Sequence, residues 1–115
     1  MGAYRSTAAN PLEEAVSVTA NAVTLALAHA DKTIYADGTG AQTYTIPLNA
    51  TAPFEVGTKI RVVRNANQTL TIAATGGVTL VNPGSALTAR ARYSEIVLTK
   101  TGTDTWRLSG DVTTV

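Results

Sequence analysis

The sequence predicts an all-β protein: a single antiparallel β-sandwich or barrel-like domain with an extended N-terminal arm. Three observations carry this expectation. Apolar and polar residues alternate with a period of two from Val16 onward. Turn residues recur about every 8 to 12 positions. No stretch long enough for a helix shows a period near 3.6. A chain of 115 residues is the size of one domain and can bury a core without staples.

Residues 1–15 read as the arm, and 16–115 as the β domain. Met1 to Asn10 is small and polar, and Asn10-Pro11 is a break signal. Pro11 to Ala15 could form one helical turn capped by Asn10, with Glu13 and Glu14 at its positive end. It is too short and too poor in apolar residues for a core element. The best-equipped side chains for an outside contact are Tyr4, Arg5 and Leu12.

From Val16 the elements follow in order. Val16 and Val18 alternate with Ser17 and Thr19, and Val23, Leu25 and Leu27 alternate with Thr24 and Ala26. Thr33 to Ala36 resumes the pattern, and Asp37-Gly38-Thr39-Gly40 turns. Thr43 to Ile46 places Tyr44 and Ile46 on one face, and Pro47 ends the strand because it has no N–H for a ladder. Lys59 to Arg64 puts Ile60 and Val62 together, and Thr69 to Ile72 does the same for Leu70 and Ile72. Gly76-Gly77 and Asn82-Pro83-Gly84-Ser85 flank a short strand at Val78 to Leu80. Tyr93 to Lys100 is the longest strand, with Ile96 and Leu98 facing the core. After a loop at Thr101 to Asp104, Trp106 and Leu108 face inward from the last strand, and Gly110-Asp111 closes it. Trp106, Leu108, Ile96 and Leu98 are therefore the expected core. No solenoid repeat is visible.

Composition narrows the function. There are no cysteines, so disulfides, thiolate metal sites and thiol catalysis are excluded. Charged residues are only 15% of the chain, against roughly 25% in ordinary domains. Threonine, alanine and valine take their place, a composition of pleated surfaces. Nine basic and eight acidic groups leave a net charge of +1, too balanced for binding nucleic acid through phosphates. No apolar run approaches the roughly 18 residues of a membrane span, and the N-terminus lacks the apolar core of a secretory signal. The charge is split, however: residues 1–57 carry two basic and five acidic groups, and residues 58–115 seven and three.

No catalytic, cofactor or metal site is expected, and the chain reads as a non-enzyme. His29 is the one histidine, and without cysteine it would need three carboxylates to complete a zinc site. Its place at a turn before Asp31 fits a local hydrogen bond. No serine sits on a strand-to-helix elbow. Gly76-Gly77 precedes a strand, whereas a phosphate cradle leads into a helix. The acidic residues do not cluster like a calcium loop. Arg61, Arg64, Arg90, Arg92 and Arg107 could form a basic patch, with Arg90 and Arg92 sharing a strand face and only Tyr93 nearby to stack a base.

One set of motifs points further. Tyr44-Thr45-Ile46-Pro47 is followed by Val56-Gly57-Thr58 before a strand and by Gly77-Val78-Thr79-Leu80. The most specific part runs from Tyr93 to Asp111: Tyr-Ser, then Leu98, Lys100, Gly102, Trp106, Leu108 and Gly110-Asp111. From about Leu25 to Asp111 the chain resembles a small β domain of tailed-bacteriophage structural proteins. The resemblance implies a virion part with no catalytic residues to carry over. Such domains belong to tail fibres, baseplate-associated proteins and capsid decoration (cement) proteins. A lone domain with an arm fits decoration best. The implied partner is then the major capsid protein, the implied assembly a homotrimer, and the implied location the capsid surface of the virion. A tail-fibre or receptor-binding tail module is the alternative.

Overall fold

Strands form where the period of two is cleanest. The structure, a computed structural model, describes residues 15–114. In chain order these residues form β1 (Ala15–Val18), β2 (Ala22–Thr24), β3 (Thr33–Ala36), β4 (Gln42–Ile46), β5 (Lys59–Arg64) and β6 (Leu70–Ala74). β7 (Thr79–Val81), β8 (Thr88–Ala89), β9 (Glu95–Gly102), β10 (Thr105–Gly110) and β11 (Val112–Thr113) follow, with 3₁₀ turns at Leu27–His29 and Pro83–Ser85. Residues 1–14 of the expected arm lie outside the described residues, and Ala15 already belongs to β1.

The strands build two sheets, ordered β1-β3-β5-β9-β10-β7 and β11-β8-β6-β4-β2. From β1 to β8 each strand joins the sheet that the previous strand left. The chain thus winds as a flattened coil. Val16, Ile34 and Val62 stack as parallel partners in one sheet, and Val23, Tyr44 and Ile72 in the other.

The pairing is therefore mixed, not antiparallel throughout. β1-β3-β5, β2-β4-β6 and β7-β10 pair in parallel. Antiparallel pairs gather around β9 and β8. Alternation reports which face of a strand is buried. It carries no information on whether the neighbour is the next strand or one a full winding away. Uneven winding hides the coil from the sequence: Val16 to Ile34 is 18 residues, and Ile34 to Val62 is 28.

Both sheets feed one core. Ile34, Ile60, Val62, Ile96, Leu98, Trp106 and Leu108 come from the first, and Tyr44, Ile46, Leu70, Ile72 and Ala89 from the second. The four expected core residues are all buried. Phe54, from the connection before β5, meets Trp106 edge to face at 5.4 Å and 87°, a geometry the ring quadrupoles favour. Two placements differ from expectation. The alternation of Val23, Leu25 and Leu27 breaks when the 3₁₀ turn begins, so Leu25 is buried and Leu27 is exposed. Tyr93 precedes β9 in a turn, with φ at 73°.

Where the chain crosses from the first sheet to the second, polar side chains tie successive windings. Gln42, buried, donates from Nε2 to the carbonyls of Val18 (3.1 Å) and Ala20 (2.8 Å), and accepts the Gly38 N–H at 3.0 Å. Gln68 donates to the Gln42 Oε1 and to the Ala36 carbonyl. Asp37 accepts from Ser17 Oγ and Asn65 Nδ2, each at 2.6 Å. These two bonds hold its carboxyl below the usual carboxylate range. The two buried glutamines satisfy backbone groups that would otherwise be stranded where the ladder stops.

Tyr44 gives the core a pH limit. Burial, helped by the negative Asp37, pushes its phenol up to about 12 from 10.0. Above pH 10 the unfolded chain ionises while the native phenol stays neutral. The stabilisation is thus whole below pH 10 and is lost as pH climbs through about 12. Two pKa units correspond to about 3 kcal/mol. The urea midpoint should fall steeply between about pH 10 and 12, and Tyr44→Phe should flatten that fall. An equally steep fall in the variant would place the alkaline sensitivity elsewhere.

Candidate interaction surface

The polar residues of the Tyr93–Asp111 motif turn out to join parts of the fold. Lys100 alternates with Ile96 and Leu98, so β9 aims it inward, and it is buried. Its ammonium donates to Asn49 Oδ1 and, at 2.7 Å, to the Phe54 carbonyl. The Asn49 N–H in turn meets Asp104 Oδ1 at 2.7 Å, and the Gly57 N–H meets the Lys100 carbonyl at 2.8 Å. The long connection between β4 and β5 is fastened onto the β9–β10 hairpin by this one cation. Lys100 had no expected role of its own; extending the Ile96–Leu98 alternation by one step puts this charged residue on the inward face, the signal that would have found it.

The other end of β9 is fastened as firmly. Ser94 Oγ donates to Asp111 Oδ2 at 2.6 Å and accepts the Ala91 N–H at 3.1 Å. Arg90 reaches the same carboxylate with Nε at 2.7 Å and a terminal nitrogen at 2.9 Å, the paired geometry that suits a guanidinium. Arg90 first, then Ser94, holds the Asp111 carboxyl below its ordinary range.

His29 also has a local role. Its Nδ1 accepts the Ala26 N–H at 2.9 Å, and burial lowers its pKa. Among the described residues, no three His, Asp or Glu side chains gather where they could share a metal ion.

One surface open to an outside partner is the outer face of the first sheet. β5, β9 and β10 lie side by side, so Lys59, Thr99 and Arg107 form one row, and Arg61, Val97 and Ser109 the next. With Thr101 they line a shallow depression of about 510 Å³. Lys59 Nζ is 3.4 Å from Thr99 Oγ1, and Arg61 faces Glu95 at 3.5 Å. Three cations, Lys59, Arg61 and Arg107, thus stand on this face with one nearby anion, Glu95. Beyond the end of β9, Arg64, Arg90, Arg92 and Tyr93 form a corner. The Tyr93 N–H donates to the Arg64 carbonyl at 2.6 Å, and the Arg64 N–H to the Ser94 carbonyl at 3.0 Å.

The expected basic patch is therefore divided. Arg61 and Arg107 share the sheet face, and Arg64, Arg90 and Arg92 the corner. Arg90 and Arg92 do not share a strand face, because β8 ends at Ala89 and Arg92 lies in a turn. The expected arm contacts Tyr4, Arg5 and Leu12 lie outside the described residues. No helix among the described residues is long and apolar enough to cross a membrane. The chain matches no protein-family model and no curated protein sequence.

Proposed function

We propose that the chain is a structural protein of a tailed-phage virion, a sandwich-like module with an N-terminal arm that decorates the capsid. The supporting observation is that the residues carrying the phage resemblance are those that hold this fold together. Lys100, Ser94, Asp111 and Trp106 brace the hairpin and its neighbours, which leaves the outer sheet face for a partner. A broad, shallow face suits another protein surface better than a small molecule, which needs a concave site. On this reading the major capsid protein is the partner, a trimer the working assembly, and the chain has no enzymatic role.

The mechanism is stapling by two contacts. Once the sheet face has docked, the arm is held at high effective concentration near a second capsid subunit. Removal of residues 1–14 should leave the melting curve within about 2 °C of wild type, since residues 15–113 supply both sheets and the core between them. It should also abolish co-sedimentation with undecorated capsids. Truncated protein that decorates as well as the full chain removes the stapling mechanism and favours the tail-module alternative.

A further inference from the structure

Tyr93 occupies a position that works against the isolated fold. Its φ of 73° lies in the left-handed region, where asparagine, aspartate and glycine are at ease and a bulky side chain is not. The ring gains no core burial in exchange: the residue is 62% exposed. Its backbone bond to the Arg64 carbonyl would survive in any residue.

The turn that presents this ring is held from several sides. Ser94 bonds to the Ala91 N–H and to Asp111, and Arg90 grips Asp111 as a pair. One face of the ring is occupied by Arg92, whose guanidinium carbon lies 4.9 Å from the centroid. Arg64 is joined to this turn by backbone alone, its carbonyl accepting the Tyr93 N–H and its N–H donating to the Ser94 carbonyl. Among the described residues no carboxylate pairs with Arg92, whereas Arg61 meets Glu95 and Arg90 meets Asp111. A rigidly held, exposed tyrosine stacked on an arginine is the composition of an interface hot spot.

We propose that Tyr93, stacked with Arg92, is the anchor of a protein–protein interface, and that its partner is an acidic protein surface; taking that surface to be the capsid shell rests on the decoration reading. Arg92, exposed and without a carboxylate partner among the described residues, sets the sign of the partner. A nucleic acid is a poorer fit, since a single exposed ring offers no run of stacking platforms.

The test uses the full chain with two substitutions that tolerate left-handed backbone, Tyr93→Gly and Tyr93→Asn, and with Tyr93→Phe as the ring-keeping control. A residue kept for a partner contributes little to folding, so the first two should melt within about 3 °C of wild type or higher. They should bind undecorated capsids at least about tenfold more weakly, while Tyr93→Phe retains most of the binding. Early melting of both Gly and Asn variants would show that the ring serves the fold, and wild-type binding by them would remove the anchor; either result overturns the proposal. A second measurement does not depend on the capsid: amide shifts of the ¹⁵N-labelled chain titrated with poly-L-glutamate, and separately with duplex DNA. Shifts centred on residues 64 and 90–94 with poly-L-glutamate support the acidic-protein surface, even if capsids fail to bind and the decoration reading falls. No shifts there, or larger ones with DNA, refute it.

Discussion

Trp106→Ala is expected to lower the unfolding free energy by about 3 to 5 kcal/mol, the range for truncating a large buried aromatic. Trp106 is 1% exposed and is among the largest fully buried side chains. It pairs with Lys100 across the hairpin and with Leu80 on the other side, and it packs on Phe54. Alanine would remove the edge-to-face contact and open a cavity bounded by two strands and a connection. The connection is fixed at Asn49 and Phe54 by Lys100, so it cannot collapse freely into the space. That places the cost toward the upper part of the range. Urea unfolding followed by circular dichroism measures it, and a midpoint equal to wild type would mean that the indole is not part of the core.

Gly110→Ala should be comparably damaging, by about 3 kcal/mol or more, through a different cause. Gly110 has φ of 123°, a conformation closed to alanine. An added Cβ would also lie 2.2 Å from the Glu95 carbonyl oxygen and 3.2 Å from the Ile96 Cα. Both obstacles are backbone of the adjacent strand, which cannot swing aside as a side chain would. Relief requires β10 to part from β9 beside the Ser94–Asp111–Arg90 cluster. Loss of the two-state transition, or a fall in melting temperature of more than about 10 °C, is the expected reading. An unchanged melting curve would show that β10 ends differently in solution.

Much of the strand content was legible because one face of each long strand is buried. Tyr44 and Ile46, Ile60 and Val62, Leu70 and Ile72, Ile96 and Leu98, and Trp106 and Leu108 all lie where alternation puts them. β8 and β11 escaped because two residues cannot display a period. Leu27 and Tyr93 were misplaced for a related reason: each extends a real alternation by one step into a turn. The parallel pairing was not legible, since partners such as Val23, Tyr44 and Ile72 are set by windings of unequal length. The candidate surface was partly visible. Arg61 and Arg107 were named as basic-patch residues, but only the alignment of β5, β9 and β10 shows that Lys59 and Arg107 share a row. Tyr93 carried no sequence signal of strain, because its left-handed backbone follows from bonds to Arg64 and Ser94's fastening of the turn.

The winding also governs how such a chain reaches its native state. Among the described strands, β9 and β10 are the one pair that are neighbours both along the chain and in a sheet. Every other pairing closes a loop that contains at least one further strand. The entropy of those closures must be met before the contacts they enable can form, which is the regime of slow folding. The hairpin can close through its Thr103–Asp104 turn alone. It then offers β5 and β7 a ready edge on either side, and the motif from Ser94 to Asp111 acts as the template on which the earlier windings are laid down.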